Sequence, residues 1–463
     1  MEMSCRAVAT AVKGKIIAEG PEDRWIRRFV IDSRQVSPGD FFVPLAGEQT
    51  DGHKFIGHAA QKGAIGCFVR ENAMVEIPPQ LFMIAVPDPL VALQELAAFY
   101  RQKFDLSVVG VTGSVGKTTT KDLIAAVLSA RFKTLKTEGN LNNEIGLPLM
   151  LLRLDSSVEA AVLEMGMSGF GEIKFLAGLA RPSIGVITNI GESHLEALGS
   201  REGIARAKGE LLEQLPADGL AIVNAEEPLL VEFVQKLKRP FITFGFKQGA
   251  TIRCTAETVK DGRKLICLGQ ENFPELWLEP PLPGKHNLYN LMAAVAVGRH
   301  LKLADSEIVK GLKDVTLSAM RLETVTLPQG YNIINDAYNA SPTSMAAALE
   351  VLQELAQGAG KIAVLGDMLE LGDLEKEGHL QVGRLAAKSG LKALVVMGRR
   401  ARWIAQGAEA AGMPGTAIFS CATHVQAADL LQQLAEKNDW ILLKGSRGMK
   451  MEEVLYALRR GVE

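Results

Sequence analysis

Apolar residues along this chain follow two alternating textures. Short uninterrupted runs bounded by glycine, proline or polar residues read as strands buried on both faces. Longer stretches with apolar residues three and four apart read as helices with one buried face. Up to about residue 104 the runs WIRRFVID, GDFFVPL, GCFVRE and LFMIAVP are short, and they close on the helically spaced LVALQELAAFYRQKF. That texture predicts a small α/β domain. A second section opens with LSVVGV (106–111), a buried parallel strand by pattern, then a glycine-rich turn. The stretch KTTTKDLIAAVLSARF follows, with Leu123, Ile124, Val127 and Leu128 on one helical face. Further runs at 160–166, 184–191, 219–227 and 240–246, with helical segments between several of them, predict a mostly parallel sheet. TIRCTAETV and GRKLICLG, within 251–282, predict an antiparallel excursion.

From about residue 319 the alternation is regular. YNIINDAYN, KIAVLGD, ALVVMG, AIFS and WILLKGS read as strands, with helices between them and one at the end. In doubly wound sheets ligands bind beyond the carboxyl ends of the strands. Polar residues gather there: Asp336, Asp367, Arg399 and Lys444 through Arg447. At about 150 residues per domain, the 463 residues divide into three, placed at 1–104, 105–318 and 319–463.

Composition narrows the class. Hydrophobic residues at 47% and charged residues at 22% describe a folded globular chain, not a disordered one or a coiled coil. With 51 Lys+Arg against 53 Asp+Glu, the net charge of −2 excludes a general nucleic-acid binder, which carries a basic domain or stripe. The 45 glycines follow no G-X-Y period, which excludes collagen and points to functional turns. Five scattered cysteines, none in a CxxC pair, suggest neither a disulfide framework nor a zinc ribbon. No apolar run approaches the ~18 residues that span a bilayer, and MEMSCRAVATAVKGK lacks a sustained signal-peptide core. A cytoplasmic chain without a membrane span is expected.

The strongest chemical signal is GVTGSVGKTTT (110–120), between a buried strand and a helix. Glycines let successive N–H groups converge on an anion, the helix dipole adds partial positive charge, and Lys117 adds a full one. Thr118 stands where a hydroxyl can ligate Mg²⁺. The strict GxxxxGK[ST] pattern needs glycine at 111, where this chain has Val111, making the loop a variant. No [NT]KxD base-recognition motif follows, which favours ATP over GTP. Such a loop alone serves a kinase, a nucleotide-driven switch or a ligase. At the next strand end Glu164 is a hard oxygen ligand suited to Mg²⁺. Residue chemistry alone favours a local hydrogen-bonding role for His194 and a solvated helix position for Lys208.

Read in order, TGSVGKTTT, GNLNNEIGLP (139–148), LEMGMSGFGEI (163–173), TNIGESHLE (188–196), AKGELL (207–212) and GKHNLYNLMAA (284–294) resemble the Mur ligase family along the whole chain. Within it, DSR (32–34), PGDFFVPLAGEQTDGHKF (38–55), DAYNASPTSM (336–345), LGDMLELG (365–372) and the lack of a DNPR motif favour one branch. That branch ligates D-alanyl-D-alanine to a UDP-N-acetylmuramoyl tripeptide. The resemblance implies an α/β fold of three domains: a small α/β N-terminal domain for the UDP substrate, a central P-loop ATPase-type domain with a mostly parallel sheet, and a C-terminal Rossmann-like doubly wound domain for the incoming dipeptide. The implied activity is ATP-dependent amide-bond formation through an acyl phosphate, by a monomer using two Mg²⁺ ions.

The resemblance also implies roles. Gly113, Ser114, Val115, Gly116, Lys117, Thr118 and Thr119 would hold the ATP phosphates. Thr118 and Glu164 would bind one Mg²⁺, with Glu164 and His194 at a second. Lys208 would take up CO₂ as a carbamate, supplying an anionic oxygen ligand where an ammonium would be repelled. Asn287 would lie near the adenine, with Asn290 beside it on the same helical face, Asp336 near the ribose, and Arg321 reaching the nucleotide from the third domain. Without the family, Asn287 and Asn290 read as a cap cluster and Arg321 as a solvated linker residue. Ser33, Arg34 and the segment from Gly47 through Asp51 to His53 would meet the uridine diphosphate, although Asp-Gly is by itself a turn signal. Tyr338, Asn339, Lys444, Ser446 and Arg447 would serve the reacting carboxylate or the dipeptide. Four positions depart from the family pattern: Ser114-Val115 for Thr-Asn, Met320 for glycine, and Ser341 for asparagine.

Overall fold

A computed structural model describes residues 3–20, 24–47, 50–191 and 195–460. The chain forms two compact units, one of Met1–Val111, Arg131–Gly185 and Glu210–Leu220, the other of Thr112–Ala130, Val186–Gly209 and Ala221–Glu463.

The first unit carries a five-stranded sheet of β1 (Lys15–Ala18), β2 (Phe29–Val30), β3 (Phe41–Phe42), β4 (Gly66–Arg70) and β5 (Phe82–Val86), ordered β1-β5-β4-β3-β2. Strands β2 to β5 run parallel and β1 antiparallel to β5. Every residue of β5 is buried, as its continuous apolar run requires. The helix Pro89–Arg101 follows at once, because Asp88 accepts the N–H groups of Leu90 and Val91 and Pro89 fixes the first turn.

Nine strands make the next sheet: β6 (Ser107–Thr112), β7 (Thr134–Lys136), β8 (Ala160–Glu164), β9 (Ile184–Ile187), β10 (Leu220–Asn224), β11 (Phe241–Gly245), β12 (Ile252–Lys260), β13 (Arg263–Gln270) and β14 (Leu276–Leu278). Their order is β14-β13-β12-β11-β10-β9-β6-β8-β7, and β6, β9 and β10 run through both units. Pairs β7–β8, β6–β8 and β10–β11 are parallel, while β12–β13 and β13–β14 form the antiparallel excursion expected from the sequence. The short β7 carried no apolar run, since its three residues are only half-buried.

The second unit ends in a six-stranded sheet of β15 (Glu323–Thr326), β16 (Asn332–Asn335), β17 (Lys361–Gly366), β18 (Ala393–Met397), β19 (Ile418–Cys421) and β20 (Trp440–Lys444), ordered β15-β16-β20-β17-β18-β19. The last five are parallel and sandwiched: Ala363 and Leu365 face one core with Val351 and Val382, while Ile362 and Val364 face another with Leu431 and Leu455. The antiparallel edge β15 was not expected, because its residues ETVT are largely exposed and leave no hydrophobic period. After β19 the chain returns to insert β20 between β16 and β17, so the carboxyl ends bearing Asp336, Lys444 and Asp367 adjoin.

Two helices of this last sheet, Glu375–Lys388 and Arg402–Ala410, meet at glycines. A Cβ on Gly383 would lie 2.7 Å from the Ala408 nitrogen, and one on Gly407 2.9 Å from the Leu380 carbonyl carbon. Gly383→Ala gains about 1 kcal/mol of helix propensity but forces apart a closed contact, a cost of about 1–3 kcal/mol. Net destabilisation is expected in urea unfolding; a more stable variant would refute the close approach.

Candidate active site

The glycine-rich turn from Gly113 to Thr119 lies within the second unit. Gly113 (φ 149°) and Gly116 (φ 84°) take backbone angles that L side chains rarely adopt, turning the chain from β6 into the helix Lys117–Ser129. Glycine at 111 is therefore not needed, because the turn is made at 113 and 116. Gly116 provides no side-chain cap for the first N–H groups of the helix. Residues after β9 brace the loop from below. Ser114 and Val115 donate N–H bonds to the Asn189 carbonyl (3.1 Å) and side-chain oxygen (2.9 Å). The Val115 carbonyl accepts from Thr188 Oγ1 (2.6 Å) and Asn189 Nδ2 (2.8 Å). Lys117 Nζ curls back to the Gly113 carbonyl at 2.8 Å. Thr119 occupies the first turn of the same helix.

Asn287 and Asn290 lie on the helix Lys285–His300 and are both buried. Thr120 Oγ1 donates to Asn290 Oδ1 (3.0 Å), Asn290 Nδ2 to Asn287 Oδ1 (3.1 Å), and Asn287 Nδ2 to the Pro283 carbonyl (2.7 Å). This relay ties two helices together, and Thr120 is a member that the sequence reading missed. Arg321 is no solvated linker residue: its Nη2 donates to Thr118 Oγ1 at 3.1 Å and its guanidinium lies 4.1 Å from the Tyr338 ring centre. Its buried Nε has no hydrogen-bond partner. Met320 and Leu322, on either side, are left-handed at φ 60° and 51°, so the position where glycine is usual carries backbone strain here.

Lys208 corrects the reading from residue chemistry alone. It lies on the helix Arg201–Glu213 and is 2% exposed. Desolvation, reinforced by the charge of Lys117, pushes its ammonium well below the ordinary lysine range. His194, the candidate ligand between β9 and that helix, lies outside the described residues.

In the third sheet Lys444 is buried against Asp336 and donates to the Asn339 carbonyl at 2.9 Å. Burial lowers its pKa while Asp336 opposes the fall. Asp336 also accepts the Leu322 N–H at 3.3 Å. Ser446 is internally committed, with Oγ accepting from Leu369 N–H (2.8 Å) and its own N–H donating to the Asp367 carbonyl (3.0 Å). Arg447 is half-exposed and paired with Glu452 at 2.6 Å. His286, a half-buried residue whose Nδ1 faces inward, is a position that sequence reading passed over. Its Nδ1 has no hydrogen-bond partner, and desolvation holds its pKa at about 4, with Asp336, Lys444 and Glu354 facing it.

In the first unit, Glu164 ends β8 at 3% exposure. Its N–H donates to Thr137 Oγ1 (2.9 Å) and its Oε1 accepts from Asn142 Nδ2 (2.8 Å), while the buried Oε2 has no partner. One buried oxygen left open fits a hard cation. The N-terminal candidates follow the carboxyl ends of β2 and β3. Arg34 is exposed and clamped by Asp32, whose carboxyl it holds below the usual range. Ser33 Oγ meets His58 Nδ1 at 3.0 Å. Gly47 closes a loop by donating to the Thr50 carbonyl at 2.9 Å. His53 is pinned: Nε2 accepts the Arg70 N–H (2.9 Å), which leaves the proton on Nδ1 to meet Asp51 (2.6 Å).

Family models match three consecutive stretches: Mur ligase family, catalytic domain, over 26–101; Mur ligase middle domain over 111–298; and Mur ligase, glutamate ligase domain over 320–447. The chain belongs to the Mur ligase family. It is 40% identical to the UDP-N-acetylmuramoyl-tripeptide–D-alanyl-D-alanine ligase of Bacillus subtilis over 98% of both chains. Among solved Mur ligases it resembles MurF from Acinetobacter baumannii (31% identity, 99% and 98% of the two chains, TM-score 0.87). It also resembles MurF ligase from Thermotoga maritima in complex with ADP (30% identity, 94% and 97%, TM-score 0.80). Among the described residues no helix is long and apolar enough to cross a membrane.

His286 gives this Mur ligase a pH signature. Its folded pKa of about 4 lies below its value of about 6.5 when unfolded, so the unfolded chain binds the extra proton between those values. Stability contributed by neutral His286 is complete above about pH 6.5 and is lost as pH falls toward 4. Across that window His286→Asn should lose less stability than the parent, by up to about 3 kcal/mol. Equal losses in urea titrations would refute the burial of a neutral ring.

Proposed function

We propose that this chain is an ATP-dependent amide-bond ligase joining D-alanyl-D-alanine to a UDP-N-acetylmuramoyl tripeptide, releasing ADP and phosphate, in peptidoglycan precursor synthesis. The observation that carries this reading is the 40% identity, over 98% of both chains, to the Bacillus subtilis enzyme named for that reaction. In the assignment of tasks, residues 1–104 take the UDP end, 105–318 ATP, and 319–463 the dipeptide.

The tripeptide carboxylate attacks the γ-phosphorus of ATP, ADP leaves, and an acyl phosphate forms. The free amine of D-alanyl-D-alanine then attacks the acyl carbon, loses a proton, and phosphate departs from the tetrahedral intermediate. Residues 113–119 hold the phosphates, chiefly through the N–H groups that open the helix, since Asn189 takes those of Ser114 and Val115. Lys117 and the open Nε of Arg321 answer the charge that builds on the moving phosphoryl group. Asn287 meets the adenine and is held in place by Asn290 and Thr120. Asp336 meets the ribose. Ser33, Arg34, Gly47, Asp51 and His53 form the uridine diphosphate end; Tyr338, Asn339, Lys444, Ser446 and Arg447 form the dipeptide end.

Thr118 and Glu164 offer hard oxygens to Mg²⁺, joined by His194 and by Lys208 as its carbamate. Mg²⁺ bound by these groups would withdraw charge from the phosphoryl oxygens. The desolvated Lys208 supports the carbamate: a neutral amine carries the lone pair that attacks CO₂, forming an N–C bond and releasing a proton.

Dipeptide-dependent ADP release from UDP-N-acetylmuramoyl tripeptide is expected, with single amino acids inactive in place of D-alanyl-D-alanine. Release that ignores the dipeptide overturns the reading. Lys208→Ala should lower the rate by about 100-fold or more, and short carboxylates should restore part of it. An alanine variant with full activity removes the carbamate from the mechanism.

A further inference from the structure

The helix that starts at the phosphate loop buries a second pair of charges that the reaction does not use. Lys121 and Asp122 are adjacent, their side chains are each 1% exposed, and Nζ and Oδ1 lie 3.2 Å apart. Two apolar side chains would fill such a position at less desolvation cost. What the charged pair adds is direction. Asp122 Oδ2 accepts the backbone N–H of Ser318 at 2.8 Å, and Lys121 Nζ meets Ser318 Oγ at 3.4 Å. Ser318 stands three residues before Arg321. Asp122 stands four residues, one helical turn or about 6 Å, after Thr118, the residue that Arg321 reaches. The 318–321 segment therefore runs back along one face of the helix, from Asp122 to the phosphate loop.

The far foot of this arch is fixed as well. Leu322 N–H donates to Asp336 Oδ1 at 3.3 Å, and the Met320 carbonyl accepts the Tyr338 N–H at 3.4 Å. Between the two feet the backbone takes left-handed angles at Met320 and Leu322, a conformation that persists only where its surroundings impose it. We propose that Asp122, oriented by Lys121, is a positioning residue: by gripping the Ser318 N–H it sets the arch that delivers the Arg321 guanidinium to Thr118 and the nucleotide phosphates.

This inference rests on the nucleotide role of Arg321, and its test separates the two. Binding of a non-hydrolysable ATP analogue, measured by calorimetry, needs no peptide substrate and stands apart from the ligase reading. Arg321→Ala alone tests the nucleotide role and should weaken binding. Asp122→Leu paired with Lys121→Met removes the grip without leaving a lone buried charge. It should weaken binding and lower kcat/KM for ATP by about 10- to 100-fold, with KM for the UDP substrate within about twofold. Asp122→Asn paired with Lys121→Met, which keeps an acceptor for Ser318 and leaves no lone charge, should recover most of the loss. In the Arg321→Ala background the Lys121/Asp122 change should add less than about threefold. Full additivity in that background, or unchanged ATP binding in the paired variant with its fold intact by circular dichroism, overturns the proposal. Ser318→Pro removes the donor from the other side, and if the paired variant does not fold, the same cycle with Ser318→Pro decides by the same criteria.

Discussion

Taking an ion out of water costs several kcal/mol even after the protein relaxes around it, and this chain does so repeatedly, at strand ends and inside helices. Each case is answered differently. Lys444 has Asp336 beside it, and Lys121 has Asp122. Lys208 is pushed toward its neutral form. Glu164 keeps one oxygen satisfied by Asn142 and the other open. Burial of charge is the cost this fold carries for its chemistry, and the parallel sheets make it possible by burying strands on both faces up to their carboxyl ends.

The polar groups around these strand and helix ends also divide into supports and reagents. Lys444, Ser446, His53 and Asn290 spend their polar atoms on the protein itself, fixing loops and helices. Arg321 Nε and Glu164 Oε2 are open, and open atoms are what a reacting phosphoryl group or a cation can use. The distinction comes from counting donors and acceptors, and residue type alone does not reveal it.

Much of this architecture is legible in the sequence because apolar runs mark parallel strands and glycine marks the loop. The departures have physical causes. Strands β7 and β15 bury too little to leave a period. The burial of Lys208 did have a signal: Ile204, Leu211 and Leu212 recur at helical spacing around it, which puts the lysine on the apolar face. Its polar neighbours in REGIARAKGELLE mask that placement. The variant loop misses the strict motif because the pattern asks for glycine at 111, whereas the backbone needs it at 113 and 116. The commitments of His53 and Asn290 depend on partners 17 and 170 residues away, which no local pattern encodes.

The Val115 carbonyl, held by both Thr188 and Asn189, has a consequence for the loop as an ensemble. A carbonyl held by two donors resists a peptide flip, so the shape of the loop is set before a ligand arrives. Loosening that grip would leave every ligand contact in place, yet affinity would fall in proportion to the time the loop spends in other shapes. Thr188 and Asn189 thus govern how often the site exists, while the residues above them govern how tightly it holds.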